Sequence, residues 1–171
     1  MAIPDDEMTA EENAIKSESE KPALPGRGGP TAKYVTFHLD RESFAVSILS
    51  VQEINQMSEI TVTRIPKSPD FLKGVLNLRG KIIPVVNFRL RLGLPEKGAD
   101  ALTRVIIAKL RGNLFGFIVD SISSVVELAQ NKIDPAPSSI DGIDAQFIEG
   151  VSKERGSLLT ILDLEKVLFS S

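Results

Sequence analysis

From Tyr34 onward, hydrophobic and polar positions alternate. In "YVTFHL", Val35, Phe37 and Leu39 interleave with Tyr34, Thr36 and His38, the period of two that marks a half-buried strand. "DRES" supplies a turn. "FAVSI" then alternates again, with Phe44, Val46 and Ile48 on one face and the small Ala45 and Ser47 on the other, so the pair reads as a hairpin. In "SILSVQEI" the period changes. Ile48, Val51 and Ile54 recur every three residues with Glu53 beside them, which suits a short helical or irregular ridge. A third strand is expected over "ITVTRI", residues 60–65. Ser68 before Pro69 has the chemistry of an N-cap and a first helical position, so "PDFLK" reads as one helical turn. "VLNLR" and "KIIPVVN" follow as the fourth and fifth strands, with Arg79 and Gly80 at the hairpin corner between them. Pro84 has no N–H for a ladder and therefore points to a barrel edge or a bulge. Asn87 then caps a second short helix, "FRLRL", which Gly93 and Pro95 end.

The second half replays this order. Adding 71 to the residue number pairs Val35, Phe37 and Leu39 with Ile106, Ala108 and Leu110, and pairs Phe44, Val46 and Ile48 with Phe115, Phe117 and Val119. Pro66 meets Pro137 in the same way. After an insertion of five residues around "SSIDGID" the offset becomes 76, and "FLKGVLNLRGKIIPVVNFRLRL" lies over "FIEGVSKERGSLLTILDLEKVL" with six identities in 22 positions. Asn87 falls on Asp163 at the same helix cap. This is a tandem duplication of about five short strands per half, and short strands with regular turns favour small barrels over an open sheet. The expected organisation is all-β dominated, with a first barrel over about 33–95, a second over about 101–163, and a C-terminal helix at 163–169. Each half is marginal alone, so the halves should pack together and leave a groove where they meet.

Charge separates the leader from the rest. Residues 1–32 carry seven acids against three basic residues, a balance of -4 within a net charge of -3. That segment ends in "PALPGRGGP" and reads as a disordered acidic tail and linker before a folded unit over 33–171. No apolar run is long enough for a membrane span and no signal-peptide pattern opens the chain, so the expected location is cytoplasmic. The absence of cysteine excludes disulfides, thiolate metal sites and thiol nucleophiles.

Little enzymatic chemistry is available. Gly74 and Gly80 are separated by five residues where a phosphate loop needs four, and Ile82 stands where its Ser or Thr should be. "GRGG" follows no strand and precedes no helix. His38 is the single histidine, which removes most Ser/His/Asp triads and zinc sites. Asp134, Asp141, Asp144 and Glu149 have neither calcium-loop spacing nor readable glycosidase logic and read as solvated loop acids. From Phe71 to Pro95 there are five basic residues, Lys73, Arg79, Lys81, Arg89 and Arg91, and no acid. A barrel that binds single-stranded RNA is the alternative this stretch raises, but no tryptophan and only one tyrosine are present to stack bases. Contact with a protein partner suits the stretch better, because the arginine fork binds carboxylates in two places. For Arg79 two readings stand: a partner contact, or a bridge to an acid across the turn.

The segments "SVQEI", "FLKGVLNLRGKIIPVVNFRLRLG" and "NKIDPAP", in this order and spacing, closely resemble the CheW family, the coupling proteins of bacterial chemosensory arrays. The resemblance runs over residues 33–169. It implies two pseudo-symmetric five-stranded SH3-like barrels, no enzymatic activity and no cofactor. It implies as partners the cytoplasmic tip of a chemoreceptor, a methyl-accepting chemotaxis protein, and the regulatory domain of the histidine kinase CheA. The family's receptor-facing groove is carried onto Ile48, Val51, Glu53, Ile54 and Arg79, with Gly80 shaping the corner and Gly116 across the groove. The turn at Ile133, Asp134 and Pro135 corresponds to a docking place for the kinase's regulatory domain or a sister subunit. Neither nucleic-acid binding nor direct membrane insertion is implied.

Overall fold

The computed structural model describes residues 29–136, 138–140, 142–154 and 156–170. The tail reading, Pro137 and Arg155 therefore fall wholly or largely outside the described residues. Strands are numbered along the chain, and the folded unit opens at Thr31, two residues before the expected Lys33. One sheet holds β1 (Thr31–Leu39), β2 (Glu42–Ser47), β9 (Ser121–Ala129), β12 (Ile148–Glu154) and β13 (Ser157–Leu162), in the order β12-β13-β2-β1-β9. The other holds β3 (Val51–Gln56), β4 (Val62–Thr63), β5 (Leu72–Leu78), β6 (Lys81–Asn87), β7 (Arg104–Leu110) and β8 (Asn113–Val119), in the order β3-β7-β8-β6-β5-β4. A small hairpin, β10 (Ser139–Ile140) with β11 (Ile143–Asp144), stands apart.

These sheets are two SH3-like barrels, but the expected boundaries at 33–95 and 101–163 are wrong. Each barrel takes its opening hairpin from the other repeat: β1–β2 joins β9, β12 and β13, while β7–β8 joins β3, β5 and β6. Pseudo-symmetry survives the exchange. In the parallel pairs Ala45 lies against Ile161 in one barrel, and its repeat counterpart Gly116 lies against Val85 in the other. The cause is that β1 is buried on both faces. Tyr34 and Ala45 point into one barrel with Leu128, Leu159 and Ile161, whereas Val35, Phe37, Leu39, Phe44 and Val46 face the core between barrels. A hairpin buried on both sides needs a barrel beneath it and a second barrel above it. The three-residue 3-10 turn Ile48–Ser50, capped by the Ser47 hydroxyl accepting from the Leu49 N–H at 3.2 Å, then sends the chain into the other sheet.

That shared core fills the space where a groove was expected. Phe44, Phe37, Phe88 and Phe117 form a run of ring contacts with centroids 5.9, 5.5 and 5.2 Å apart, each pair worth roughly 0.5–1.5 kcal/mol beyond burial. Because Phe117 comes from the second repeat and the other three from the first, the run ties the repeats together.

Several local expectations hold and several change. Asn87 caps the helix Phe88–Arg91, accepting from the Leu90 N–H at 3.3 Å, and Asp163 caps the C-terminal helix Leu164–Phe169 through the Glu165 and Lys166 N–H groups. The ridge at 48–54 is a 3-10 turn followed by strand β3. The strand expected at 60–65 shrinks to Val62–Thr63, because Ile60 turns inward to the barrel core. "PDFLK" is not helical: the Ser68 hydroxyl donates back to the Ile65 carbonyl at 2.8 Å, and the Leu72 N–H closes a turn onto Pro69 at 3.0 Å before entering β5. Pro84 sits inside a strand flanked on both sides, which its missing N–H seemed to forbid. It is tolerated because pairing of β6 with β8 begins one residue later, at Val85.

Candidate functional site

The corner between β5 and β6 is a two-residue loop closed by the Leu78–Lys81 pair. Arg79 and Gly80 have φ of 50° and 83°, the positive values a tight primed turn requires. Asn77 steadies it by accepting the Gly80 N–H at 3.1 Å. Glycine adopts such angles freely; arginine does so at a cost of about 1–2 kcal/mol. The Arg79 guanidinium reaches Glu53 on β3 and forms an ion pair with it. Barrel curvature makes this possible, since β3 and β5 stand far apart in the strand order. Of the two readings of Arg79, the bridge to an acid is therefore realised. With the Arg79 side chain 72% exposed, the pair contributes at most about 1 kcal/mol to stability and leaves much of the guanidinium facing solvent.

The remaining receptor-facing residues divide. Ile48 and Val51 are partly buried on the rim of the inter-barrel core. Ile54 is exposed near Glu53, and Ile82, three positions beyond Arg79, is 62% exposed, an apolar residue sequence reading passed over. Leu49, likewise passed over, is 92% exposed in the turn after β2. Gly116 departs from expectation. It lies buried on β8, where an added Cβ would stand 3.1 Å from Val105 and 3.5 Å from Ile107 and Val85. It faces the barrel interior, against the core residues Val85, Val105 and Ile107.

The other candidate turn is built into the fold as a clasp. Ile133 packs into the core of the barrel of β1, β2, β9, β12 and β13 with Tyr34, Ala45 and Leu159. Asp134 exchanges two backbone hydrogen bonds with Val151, each 2.8 Å, and closes that barrel. Outward presentation falls to the Asp134 side chain and Pro135, both exposed.

The basic stretch is not a continuous patch. Arg89 is buried: its Nε donates to Asp120 at 2.8 Å, its guanidinium also pairs with Asp40, and Nη1 donates to the Pro95 carbonyl at 2.8 Å. Burial pushes the Asp120 carboxyl up, but the hydrogen bonds from Arg89 and the Asp40 N–H outweigh it and hold the group below the usual aspartate range. The hydrogen bond to Asp120 likewise raises Arg89 against the effect of burial. Arg91 donates to the Val167 and Ser170 carbonyls at the end of the C-terminal helix and lies over the Phe71 and Phe147 rings. Lys73 and Lys81 are left as exposed cations without an ion pair among those described. A nucleic-acid groove needs more than this. Among the described residues no group of three potential ligands could hold a metal, and no helix is long and apolar enough to cross a membrane.

Comparison with known proteins agrees with this geometry. The model of the CheW-like domain matches residues 33–171. The chemotaxis protein CheW of Treponema pallidum is 36% identical over 141 residues, covering 80% of this chain and 81% of that protein. That of Klebsiella aerogenes is 34% identical over 138 residues, covering 81% and 82%. Among solved structures, the scaffolding protein TtCheW from Thermoanaerobacter tengcongensis superposes with a TM-score of 0.76 at 34% identity, over 82% of this chain and 94% of that one. A double barrel with exchanged hairpins, an arginine–glycine corner bridged to β3 and a family match across the whole folded unit lead to one conclusion: the chain belongs to the CheW-like family.

Proposed function

We propose that this chain is a chemotaxis coupling adaptor, working in the cytoplasm beside membrane receptor arrays and joining a chemoreceptor's cytoplasmic tip to the regulatory domain of the histidine kinase CheA. The observation that carries the reading is the family match over residues 33–171, together with the likeness to a scaffolding protein along nearly its whole length. The mechanism is simultaneous binding with no bond made or broken, and tethering raises the kinase's effective concentration near receptors. A receptor helix would lay apolar anchors on the partly exposed Ile48, Val51, Ile54 and Ile82, as helix-in-groove contacts do. The solvent-facing part of Arg79, held by Glu53, would set its register. The clasp at Ile133, Asp134 and Pro135, on the other barrel, is the proposed kinase-side contact.

Exchanged hairpins suit this work. The chain crosses between the barrels after β2 and again after β8, and both hairpins bury one face in the same apolar core, so the two surfaces keep one mutual orientation. The test is titration of receptor-tip fragments and of the kinase's regulatory domain against variants. Arg79→Glu should weaken receptor binding by about 1–3 kcal/mol with little change in thermal melt, and kinase binding should be unaffected. Unaltered receptor affinity would remove Arg79 from the interface; loss of neither partner in any surface variant would remove the adaptor reading itself.

A further inference from the structure

The hairpin exchange raises a problem of specificity. The two hairpins are built alike, Ala45 of one corresponding to Gly116 of the other by the 71-residue offset, and each barrel could in principle accept either. An unexchanged chain would place Ala45 beside Val85 and Gly116 beside Ile161, the reverse of the observed parallel pairs. Apolar patterning discriminates weakly between these outcomes, since the repeats share it.

Charge does discriminate. At the corner of β1–β2 stands Asp40, with φ of 57°, and at the corner of β7–β8 stands its counterpart Arg111, with φ of 51°. Each corner is latched to the second residue of a short helix. Asp40 pairs with Arg89, and Arg111 donates through Nε to Glu165 at 3.1 Å. Adding 76 to 89 gives 165, so the two latches occupy equivalent places in the repeats with their polarity reversed. The Arg89 latch is strengthened by Asp120, and the Arg111 latch by the Phe169 ring, 3.9 Å from the guanidinium carbon.

We infer that the Arg89–Asp40 and Glu165–Arg111 pairs, identical in place and opposite in sign, direct each hairpin into the barrel of the other repeat. In the unexchanged arrangement Asp40 would occupy the place of Arg111 and face Glu165, and Arg111 would occupy the place of Asp40 and face the buried Arg89. Both contacts would be between like charges, the second one desolvated, where repulsion is strongest. Reversed polarity thus penalises the wrong pairing at both ends at once, which two latches of the same polarity could not do.

The test gives the latches one polarity. In the variant Arg111→Asp with Glu165→Arg, each corner carries an acid and each helix an arginine, so either hairpin satisfies either site. Both altered side chains are half exposed or more in the native chain, and an opposite-charge pair is retained, so folding is preserved. The chain has no cysteine, which makes a disulfide trap clean: Ala45→Cys with Val85→Cys brings the thiols together only in the unexchanged chain, and Ala45→Cys with Ile161→Cys only in the exchanged one. After denaturation and oxidative refolding of the full chain, the Ala45→Cys, Val85→Cys cross-link should rise by about tenfold or more in the matched-polarity background over the native one, with a matching fall in the other. Without introduced cysteines, the matched-polarity chain should refold with an added slow phase. Equal trapped fractions in the two backgrounds, or refolding as homogeneous as that of the native chain, would overturn the inference.

Discussion

The two barrels solve the same closure problem with different amounts of structure. In the barrel of β3–β8, the chain after β3 returns as β4, which makes two ladder pairs with β5, Val62 with Leu76 and Thr63 with Val75. In its pseudo-symmetric twin the corresponding return is one bridge, Asp134 with Val151. Both returns cross over a glycine, Gly74 in one and Gly150 in the other, and both strands shift register just there. The identical glycine of "FLKG" and "FIEG" is thus explained by a close approach: a Cβ on Gly74 would run into the Thr63 carbonyl, and one on Gly150 would stand 2.5 Å from Ile133 Cγ2 and 2.9 Å from the Asp134 carbonyl. A barrel shut by one bridge should open locally more readily than one shut by a ladder, and it is the lightly closed barrel that carries the proposed kinase-side turn.

Substitution at these glycines should separate the barrels. Gly74→Ala meets backbone and a φ of 151° that side chains rarely adopt, so a loss of about 3 kcal/mol or more is expected in the denaturant midpoint. Removing one carboxylate from the buried latch, Asp120→Asn, should cost about 2–3 kcal/mol, less than a lone buried pair because Asp40 still holds Arg89. Its pH dependence has a definite sign. Asp120 titrates lower in the folded chain than when unfolded, so its contribution is complete above the ordinary aspartate value near 4 and disappears as pH falls through the lower folded value. Acid unfolding of Asp120→Asn should accordingly be shallower than that of the native chain.

Gly150→Ala should be milder than Gly74→Ala, about 1–3 kcal/mol, because its backbone obstacle, the Asp134 carbonyl at 2.9 Å, stands farther off than the Thr63 carbonyl does from Gly74 and its φ lies outside the left-handed region. It should nevertheless loosen the clasp and weaken binding of the kinase's regulatory domain while sparing receptor affinity. Equal destabilisation at both glycines would erase the contrast between closures. The smallest effect belongs to Glu149, which stands where the other barrel has Lys73. Its side chain is exposed, yet the desolvation that remains and then the Asp163 charge push its carboxyl above the usual range, a cost that grows as pH rises from the ordinary glutamate value to the folded one. Glu149→Gln should therefore raise the melting temperature slightly at neutral pH, by the equivalent of a few tenths of a kcal/mol at roughly this exposure, and not at all in acid.

Much of this was legible beforehand because it is local. The alternation in "YVTFHL" and "FAVSI", the helix cap at Asn87 and the turn at Arg79 and Gly80 depend on residues a few positions apart. The duplication was equally plain, since six shared residues fall at turns, close approaches and core positions. Other features resisted for stated reasons. Alternation shows which residues share a face but not which strand lies alongside, so the close packing of Gly116 against Val85, Val105 and Ile107 could not be read from it. The basic stretch looked continuous because the acids that neutralise Arg89, Asp40 and Asp120, come from distant segments.

Read alone, the amino-acid order was enough to specify most of the strands, the hairpin corners, the helix caps and the repeat, consequences of side-chain period and short-range hydrogen bonding, and by resemblance the family. It left open which repeat supplies each barrel's hairpin, which cations are spent inside the molecule, and why a glycine recurs after each "FLK" or "FIE". Those are matters of contact between residues from 11 to 116 positions apart, and they are settled when two barrels close over one apolar core and every buried charge must find its opposite.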